Sequence, residues 1–321
     1  MTVLQQQQRS RIIVAFALLY ILWGSTYLAM RVIVRDMPPY VAGAVRYLLA
    51  GPTMLAALAL MGRKVRLTGS DLRRLLVISI LLLSTGNIGV LWGEEYVASG
   101  LASLIVALVP LWVVMIEAWG FRAGRMPPKG LFGLALGMVG LLVLLWPRIA
   151  SGSHLGRLEL YGSAILAGAS FLWALGSIFS HRYHLTVDVF VAAAWQMTLA
   201  GAVNGVIALV FGQFQKTHWT NQALSGIAYL VVFGSWAGYS AYIYLLEHVP
   251  TPKVATYAYV NPIVAVFLGW VILHEKVDIY MLLGTAIIIA SVALVNTAKL
   301  KQPEPIEEMP SGPTTVKAAG D

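Results

Sequence analysis

The chain has 321 residues, of which 59% are hydrophobic and 11% charged, and its formal net charge is +8. A mean hydropathy of +0.76 excludes an ordinary soluble domain. Because the sequence contains no cysteine, disulfides, a thiolate nucleophile and cysteine-ligated metals are excluded as well.

Ten apolar runs follow one another along the chain, each long enough to cross a hydrocarbon core of about 30 Å. In chain order they are 12–34, 38–61, 73–92, 97–119, 129–147, 158–180, 187–211, 223–246, 252–273 and 277–297. The connections are too short to hold a soluble domain. We therefore expect an all-α membrane protein of ten transmembrane helices, with an N-terminal tail at 1–11, an outer connecting loop at 148–157 and a disordered tail at 298–321.

The two halves of the chain resemble each other at a spacing of about 150 residues. The segment from Arg46 to Gly51 is matched by the segment from Gln196 to Gly201, and Pro110 is matched by Pro262. Each half holds five spans, an odd number, so the second copy enters the membrane from the opposite side. The predicted architecture is two inverted five-helix repeats, 12–147 and 158–297, a plan common among secondary transporters.

The basic residues indicate the orientation of the chain rather than a nucleic-acid partner. If the N-terminus is cytoplasmic, fourteen lysines and arginines lie in the inner segments. The outer loops then hold five, Arg35, Arg148, Arg157, Lys216 and Lys276. This distribution follows the positive-inside rule and predicts that both termini are cytoplasmic.

Ionisable residues inside the membrane are the first functional candidates, because burying a charge in hydrocarbon is expensive. Arg46 lies in the second span, where Gln196 stands in the second copy. As a functional residue, Arg46 binds a substrate carboxylate or balances a glutamate. As a structural residue, it is satisfied by backbone carbonyls or by an acidic partner.

Four further charged residues are candidates for a gate or for coupling. Arg31, Glu94 and Glu95 lie at outer helix ends, where they either meet at one mouth of a cavity or extend into interfacial water. Glu117 is either a proton site or the partner of Arg122 or Arg125.

Polar and aromatic residues at mid-span predict a substrate cavity, since aromatic walls with few polar groups suit amphipathic organic cargo. Asn87 aligns with Tyr239, and each binds either a neighbouring helix or the substrate. The predicted cavity residues are Trp23, Tyr27, Arg46, Asn87, Trp92, Trp173, Gln196, Tyr239, Tyr242, Tyr257 and Asn261.

Backbone signals lie in the same spans. Pro110 and Pro262 predict kinks that are either static or act as gating points. Glycines at small-xxx-small spacing, such as Gly201 and Gly205, indicate close packing within the bundle or, as the alternative, dimerisation between subunits.

Motifs for enzymatic chemistry are missing from the sequence. The histidines lack metal-ligand spacing, and no phosphate-binding loop, G-x-S-x-G or H-E-x-x-H pattern occurs. We therefore predict neither an enzyme nor a cofactor.

The segments Leu22 to Tyr27 and Tyr257 to Pro262, with Arg46 and the pair His274-Glu275, resemble the drug/metabolite transporter superfamily. Within it, the chain is similar to bacterial ten-span exporters built from two EamA domains. The resemblance implies a cavity between the halves, a location in the bacterial inner (plasma) membrane, and export of small metabolites or drug-like compounds. One departure stands out: Glu275 lies thirteen residues after Pro262, whereas Ala123 lies thirteen after Pro110.

The leading hypothesis is a secondary exporter that works by alternating access and is coupled to protons. Its expected partners are a small-molecule substrate, the lipid bilayer and protons. No nucleic acid is expected, and the internal repeat lets a monomer be complete. The alternatives are a gradient-driven uniporter of amino acids or related metabolites and, third, a non-transporting membrane scaffold.

Overall fold

The structure is a computed structural model that describes residues 3–120, 128–151, 154–255 and 257–297. The first five helical rods are α1 (Val3–Ile33), α2 (Pro39–Leu60), α3 (Gly69–Glu94), α4 (Ser99–Val106 and Val109–Gly120) and α5 (Pro128–Ser151). The second five are α6 (His154–Arg182), α7 (Val189–Val210), α8 (Asn221–His248), α9 (Thr251–Val254 and Tyr257–Leu273) and α10 (Ile279–Thr297).

The prediction of an all-α membrane protein is confirmed, and each predicted span overlaps one of these rods. Within the described residues, seven helices are long and apolar enough to cross a membrane, and two shorter apolar helices, Val260–Leu273 and Ile279–Ser291, follow near the end. A bundle of exactly ten spans in two inverted repeats stays a prediction.

Local sequence signals explain where several helices begin and end. The hydroxyls of Thr68 and Thr220 each accept a hydrogen bond from a first-turn backbone amide, at 3.1 Å, and so cap α3 and α8. Gly62 and Gly212, with φ of 77° and 59°, follow the ends of α2 and α7, where only glycine adopts this conformation without strain. The two threonines lie about one repeat length apart in the sequence, and so do the two glycines.

The predicted connections differ from the structure in two places. The tail predicted at 1–11 is helical from Val3 onward, so the glutamine tract Gln5 to Gln8 extends α1. The loop predicted at 148–157 is largely helical, because α5 continues to Ser151 and α6 already begins at His154. The tail predicted at 298–321 lies outside the described residues.

Both α3 and α8 contain a π-helical segment in the middle of the bundle, at Ile80–Asn87 and Leu230–Tyr239. The wider turn of a π-helix rotates the side chains that follow it and is often found at functional sites. The two segments begin 150 positions apart along the chain, and no sequence pattern had predicted them.

The helices that contain Pro110 and Pro262 are interrupted near the cavity described below. In α4 the two helical pieces are separated at residues 107–108, and Pro110 is the second residue of the second piece. In α9 the break lies between Val254 and Tyr257, and Pro262 lies inside the piece that follows. Neither α4 nor α9 is therefore a continuous helix. A gating role for either proline stays a prediction.

The halves of the chain meet where α2 crosses α7, through a reciprocal pair of glycines. A β-carbon on Gly51 would lie 2.5 Å from the backbone nitrogen of Thr198, and one on Gly201 would lie 2.8 Å from that of Leu48. Leu48 and Thr198 are themselves 150 positions apart. These contacts lie within the chain, which favours the packing interpretation of these glycines over dimerisation.

We predict that Gly201→Ala destabilises the protein, since the added methyl group would press on the backbone of α2. Overpacking of this kind typically costs about 1–3 kcal/mol. The measurement is the thermal midpoint of unfolding of the detergent-solubilised protein.

The matched control is Gly205→Ala, one turn further along α7, where the nearest atom to an added β-carbon is Ala44 Cβ at 3.8 Å. Equal midpoints for the two variants would contradict the packing described at this crossing.

Candidate functional site

A cavity with about 550 Å³ of empty space, including the part that opens to solvent, lies at the centre of the bundle. Helices from both halves contribute to its walls. Eight of the eleven predicted cavity residues line it: Trp23, Tyr27, Arg46, Asn87, Trp173, Tyr239, Tyr257 and Asn261. Most of the residues selected from the sequence therefore lie around one cavity; that this cavity binds the substrate stays a prediction.

Further lining residues were not among the eleven predicted cavity residues. They are Thr26, Met30, Tyr47, Leu83, Gly86, Val90, Val106, Ala169 and Ser170. Most are small or aliphatic and carry no signal of their own. Tyr47 is the exception: a phenol directly after an intramembrane arginine is a recognisable candidate.

Arg46 is held by neutral partners from both π-helical segments. Its Nε donates a hydrogen bond to Ser235 Oγ at 2.9 Å, and its Nη1 donates to Asn87 Oδ1 at 3.2 Å. The same Asn87 oxygen accepts from the Tyr47 hydroxyl at 2.7 Å, and the Arg46 guanidinium lies 4.9 Å from the centre of the Tyr47 ring. We expected a structural arginine to bind backbone carbonyls or a carboxylate. Among the described residues, Arg46 has neither kind of partner.

An aromatic cluster forms one wall. The Trp23 ring lies edge-on to Trp173 at 5.5 Å between centroids and edge-on to Tyr257 at 5.1 Å. The Trp23 indole donates to the carbonyl oxygen of Gly234 at 3.2 Å, within the π-helical segment of α8. Edge-to-face contacts of this kind fix ring orientation, so this wall is rigid.

Two predicted cavity residues lie in a second layer, one side chain removed from the cavity. Gln196 is buried and accepts a hydrogen bond from the Tyr239 hydroxyl at 2.5 Å, while its Nε2 has no hydrogen-bond partner among the described residues. Tyr242 is buried against Trp23 and accepts a hydrogen bond from the Trp173 indole at 3.0 Å. Both residues position the side chains that do line the cavity.

The placement of Trp92 in the cavity is wrong. Its side chain is 38% exposed and packs edge-on against Tyr40, with the ring centroids 6.3 Å apart. Val90, two positions earlier, lines the cavity. Two residues of an α-helix turn through roughly 200°, which directs Trp92 to the opposite face.

The three residues predicted at the outer mouth are only partly brought together. Arg31 donates from Nη1 to the backbone carbonyl of Glu94, not to its carboxylate. The Glu94 side chain is 0% exposed, and both carboxylate oxygens lack a hydrogen-bond partner among the described residues. Its electrostatic neighbours include Tyr27, Arg31 and Glu275. Glu95 is exposed and takes no part.

Glu275 has a structural role that the sequence did not reveal. Its carboxylate caps the first turn of α4: Oε1 accepts from the Ser99 backbone amide at 3.0 Å, and Oε2 accepts from the Ser99 hydroxyl at 2.8 Å and from the Gly100 amide at 3.3 Å. The residue before it, His274, has a φ of 54°, which turns the chain toward α4. This cap ties the end of α9 to the start of α4.

Glu117, the predicted proton site, is partly buried near Arg182 and His181. The partners expected from the sequence, Arg122 and Arg125, lie outside the described residues. The described part of the chain holds no group of three or more histidine, aspartate or glutamate side chains placed to bind a metal ion.

Comparison with known proteins agrees with this architecture. The model of the EamA-like transporter family matches residues 10–146 and again residues 160–297. The uncharacterized inner membrane transporter YedA of Escherichia coli (strain K12) is 34% identical over 286 residues, covering 88% of this chain and 89% of YedA. The uncharacterized transporter YoaV of Bacillus subtilis (strain 168) is 24% identical, covering 86% and 93%.

A solved crystal structure with 18% identity has a TM-score of 0.64 and covers 89% of this chain and 97% of its own. At this identity the likeness concerns the fold alone. The family match covers most of the chain, so the protein belongs to the EamA-like transporter family. It is a multi-pass membrane transporter rather than an enzyme, as its relatives are.

We predict that Glu275→Gln weakens the cap on α4, since a neutral amide cannot supply two charged acceptor oxygens to three donors. Charge-assisted hydrogen bonds of this kind contribute about 1.5–3 kcal/mol. The expected result is a lower thermal midpoint of unfolding. The control is Glu247→Gln, which removes a glutamate whose side chain is 55% exposed; a similar loss in both variants would contradict the capping role.

Proposed function

We propose that this protein is a secondary transporter that exports small organic compounds by alternating access, with the central cavity as its substrate site. The observation that carries the proposal is the cavity itself, which combines rigid aromatic walls with a few polar groups between the two halves of the chain. Such a lining suits amphipathic molecules with a ring or another flat apolar part.

The proposed architecture is ten spans in two inverted repeats, 12–147 and 158–297, with both termini cytoplasmic. Reciprocal contacts support it. A β-carbon on Gly86 would lie 3.1 Å from Trp173 Cε3, and one on Gly238 would lie 2.6 Å from Trp23 Cδ1. In each case a glycine of one half accommodates the tryptophan of the other, as a two-fold relation between the halves requires.

Proton antiport is the proposed source of energy, with Glu94 as the coupling carboxyl. Antiport requires a titratable group whose surroundings change between the two access states. Glu94 fits this requirement because its carboxylate is fully buried without a hydrogen-bond partner among the described residues, beside Arg31 at one end of α1. Opening that end would bring water to it. Uniport down a substrate gradient is the alternative.

The position of the cavity is tested by Gly86→Leu. The added side chain would press on Trp173 and on the Leu81 carbonyl oxygen, so we expect roughly tenfold slower transport or more together with a lower thermal midpoint of unfolding. Transport is therefore compared for folded protein of each variant, isolated by gel filtration. Transport is measured as counterflow in proteoliposomes, after a thermal-shift screen of amino acids, nucleobases and amphipathic drugs has identified a ligand.

The control for this experiment is Gly168→Leu, since Gly168 is exposed and no atom lies within 4 Å of an added β-carbon there. Unchanged transport by Gly86→Leu would overturn the cavity placement. If no compound in the screen were bound or transported, the exporter proposal itself would fail in favour of a scaffold.

Coupling is tested with Glu94→Gln, which removes the proton-binding group and keeps its size. We expect the variant to carry out counterflow at equal pH on both sides but to lose the stimulation that an imposed pH gradient gives the wild type. Glu95→Gln, which changes the neighbouring exposed glutamate, is expected to keep that stimulation. If the wild type ignores the gradient, antiport is ruled out and the uniporter stands.

A further inference from the structure

Arg46 carries a positive charge for which the described part of the protein supplies no counter-charge. Its side chain is 5% exposed. Its hydrogen-bond acceptors, Ser235 Oγ and Asn87 Oδ1, are neutral, and the Tyr47 ring supplies only a face of partial negative charge. The ion pairs found in the described residues join other side chains.

A buried charge in a membrane protein is normally paired, because desolvation without compensation is costly. The carboxylates near the cavity do not fill this role. Glu275 is engaged at the first turn of α4, and the charged neighbour of Glu94 is Arg31. The described part of the protein therefore supplies no compensating anion for Arg46, and a bound anionic cargo would supply one.

The guanidinium is positioned to receive such an anion. Two of its three nitrogens, Nε and Nη1, are fixed by hydrogen bonds, whereas Nη2 donates to no acceptor among the described residues. The Nη2 group lies against Gly234, because a β-carbon built on that glycine would be 2.8 Å from Nη2. The Arg46 side chain also lines the cavity. A fixed arginine with unused N–H groups is the usual way in which proteins bind a carboxylate.

The fold does not require a charge at this position in the other half. Gln196 occupies the matching place in α7 and, as a neutral amide, makes its hydrogen bond to Tyr239. The two copies therefore share a polar side chain at the same depth but differ in charge. That difference indicates that the charge of Arg46 serves cargo rather than packing.

We propose that the cargo is an organic carboxylate with a flat apolar body: the carboxylate binds Arg46, and the body lies against the rings of Trp23, Trp173 and Tyr257. This inference rests on the proposed function, whose substrate class it names. The aromatic walls alone would also accept organic cations. The Arg46 charge disfavours them, so the site selects anions.

The inference is tested with three probes that each carry a phenyl ring and differ in charge. They are N-acetylphenylalanine (anion), N-acetylphenylalaninamide (neutral) and phenylalaninamide (cation). Binding is measured by thermal shift of the purified full-length protein over a range of ligand concentrations at pH 6.0, where the amine of phenylalaninamide is protonated and the carboxyl of N-acetylphenylalanine is ionised. We expect the wild type to bind the anion roughly tenfold to hundredfold more tightly than the neutral amide, as a charge-assisted hydrogen bond supplies. The cation is expected to bind most weakly.

Arg46→Gln, which installs the residue of the matching position, is expected to weaken binding of the anion at least tenfold more than binding of the amide, and so to remove the preference for the anion. Arg63→Gln is the charge-matched control, because Arg63 forms an exposed ion pair with Asp188; it is expected to keep the preference. If Arg46→Gln does not fold, Gly234→Ala replaces it. The added methyl group would displace Nη2 without removing the charge and is expected to weaken binding of the anion more than binding of the amide.

The inference is overturned if the wild type binds anion and amide equally, if the cation binds best, or if Arg46→Gln keeps the preference. It is also overturned if none of the three probes binds while another compound class is bound and transported. In each of these cases the exporter proposal survives, since its own test depends on transport of any ligand and on Gly86→Leu. Failure of transport for every ligand would instead remove the exporter proposal.

Discussion

The contact on which the rest of this structure depends is the packing of a glycine from one half against a tryptophan from the other, Gly86 with Trp173 and Gly238 with Trp23. Helices in lipid gain little from hydrophobic burial against one another, so close packing and hydrogen bonds must hold them together. A larger residue at either glycine would push the indole away. Because the same two indoles form a wall of the cavity, the contact that joins the halves also shapes that cavity.

The π-helical segments of α3 and α8 convert this packing into a polar site. They place Asn87 and Ser235 beside Arg46, and they present the Gly234 carbonyl to the Trp23 indole. Backbone groups released from regular hydrogen bonding at membrane depth need such partners. The irregular turns, the buried arginine and the rigid tryptophan therefore depend on one another, and a change in one is expected to disturb the others.

Much of this could be predicted because membrane burial limits what polar residues do. The sequence indicated that Arg46, Asn87 and Asn261 face a cavity, since each would be costly against lipid. It could not predict the π-helical segments, which have no signature in a hydrophobic run and which reset the side chains after them. Trp92 was misplaced for a different reason: it was selected as a mid-span aromatic residue, although two α-helical residues after Val90 it lies on the opposite face. The sequence also could not predict the neutral partners of Arg46. Ser235 lies 189 positions away, and no sequence feature distinguishes it from the other serines.

The two copies are least alike at the ends of the kinked helices. Ser99 and Thr251 occupy matching helix starts, 152 positions apart. Ser99 receives the Glu275 carboxylate, whereas Ala123 stands at the position matching Glu275 and has no carboxylate to offer. Among the described residues the buried Thr251 hydroxyl has no hydrogen-bond partner. A transporter built from identical copies would have two access states of equal energy. This chain departs from that exact symmetry, because a carboxylate caps the helix start at Ser99 whereas, among the described residues, the matching Thr251 hydroxyl has no partner.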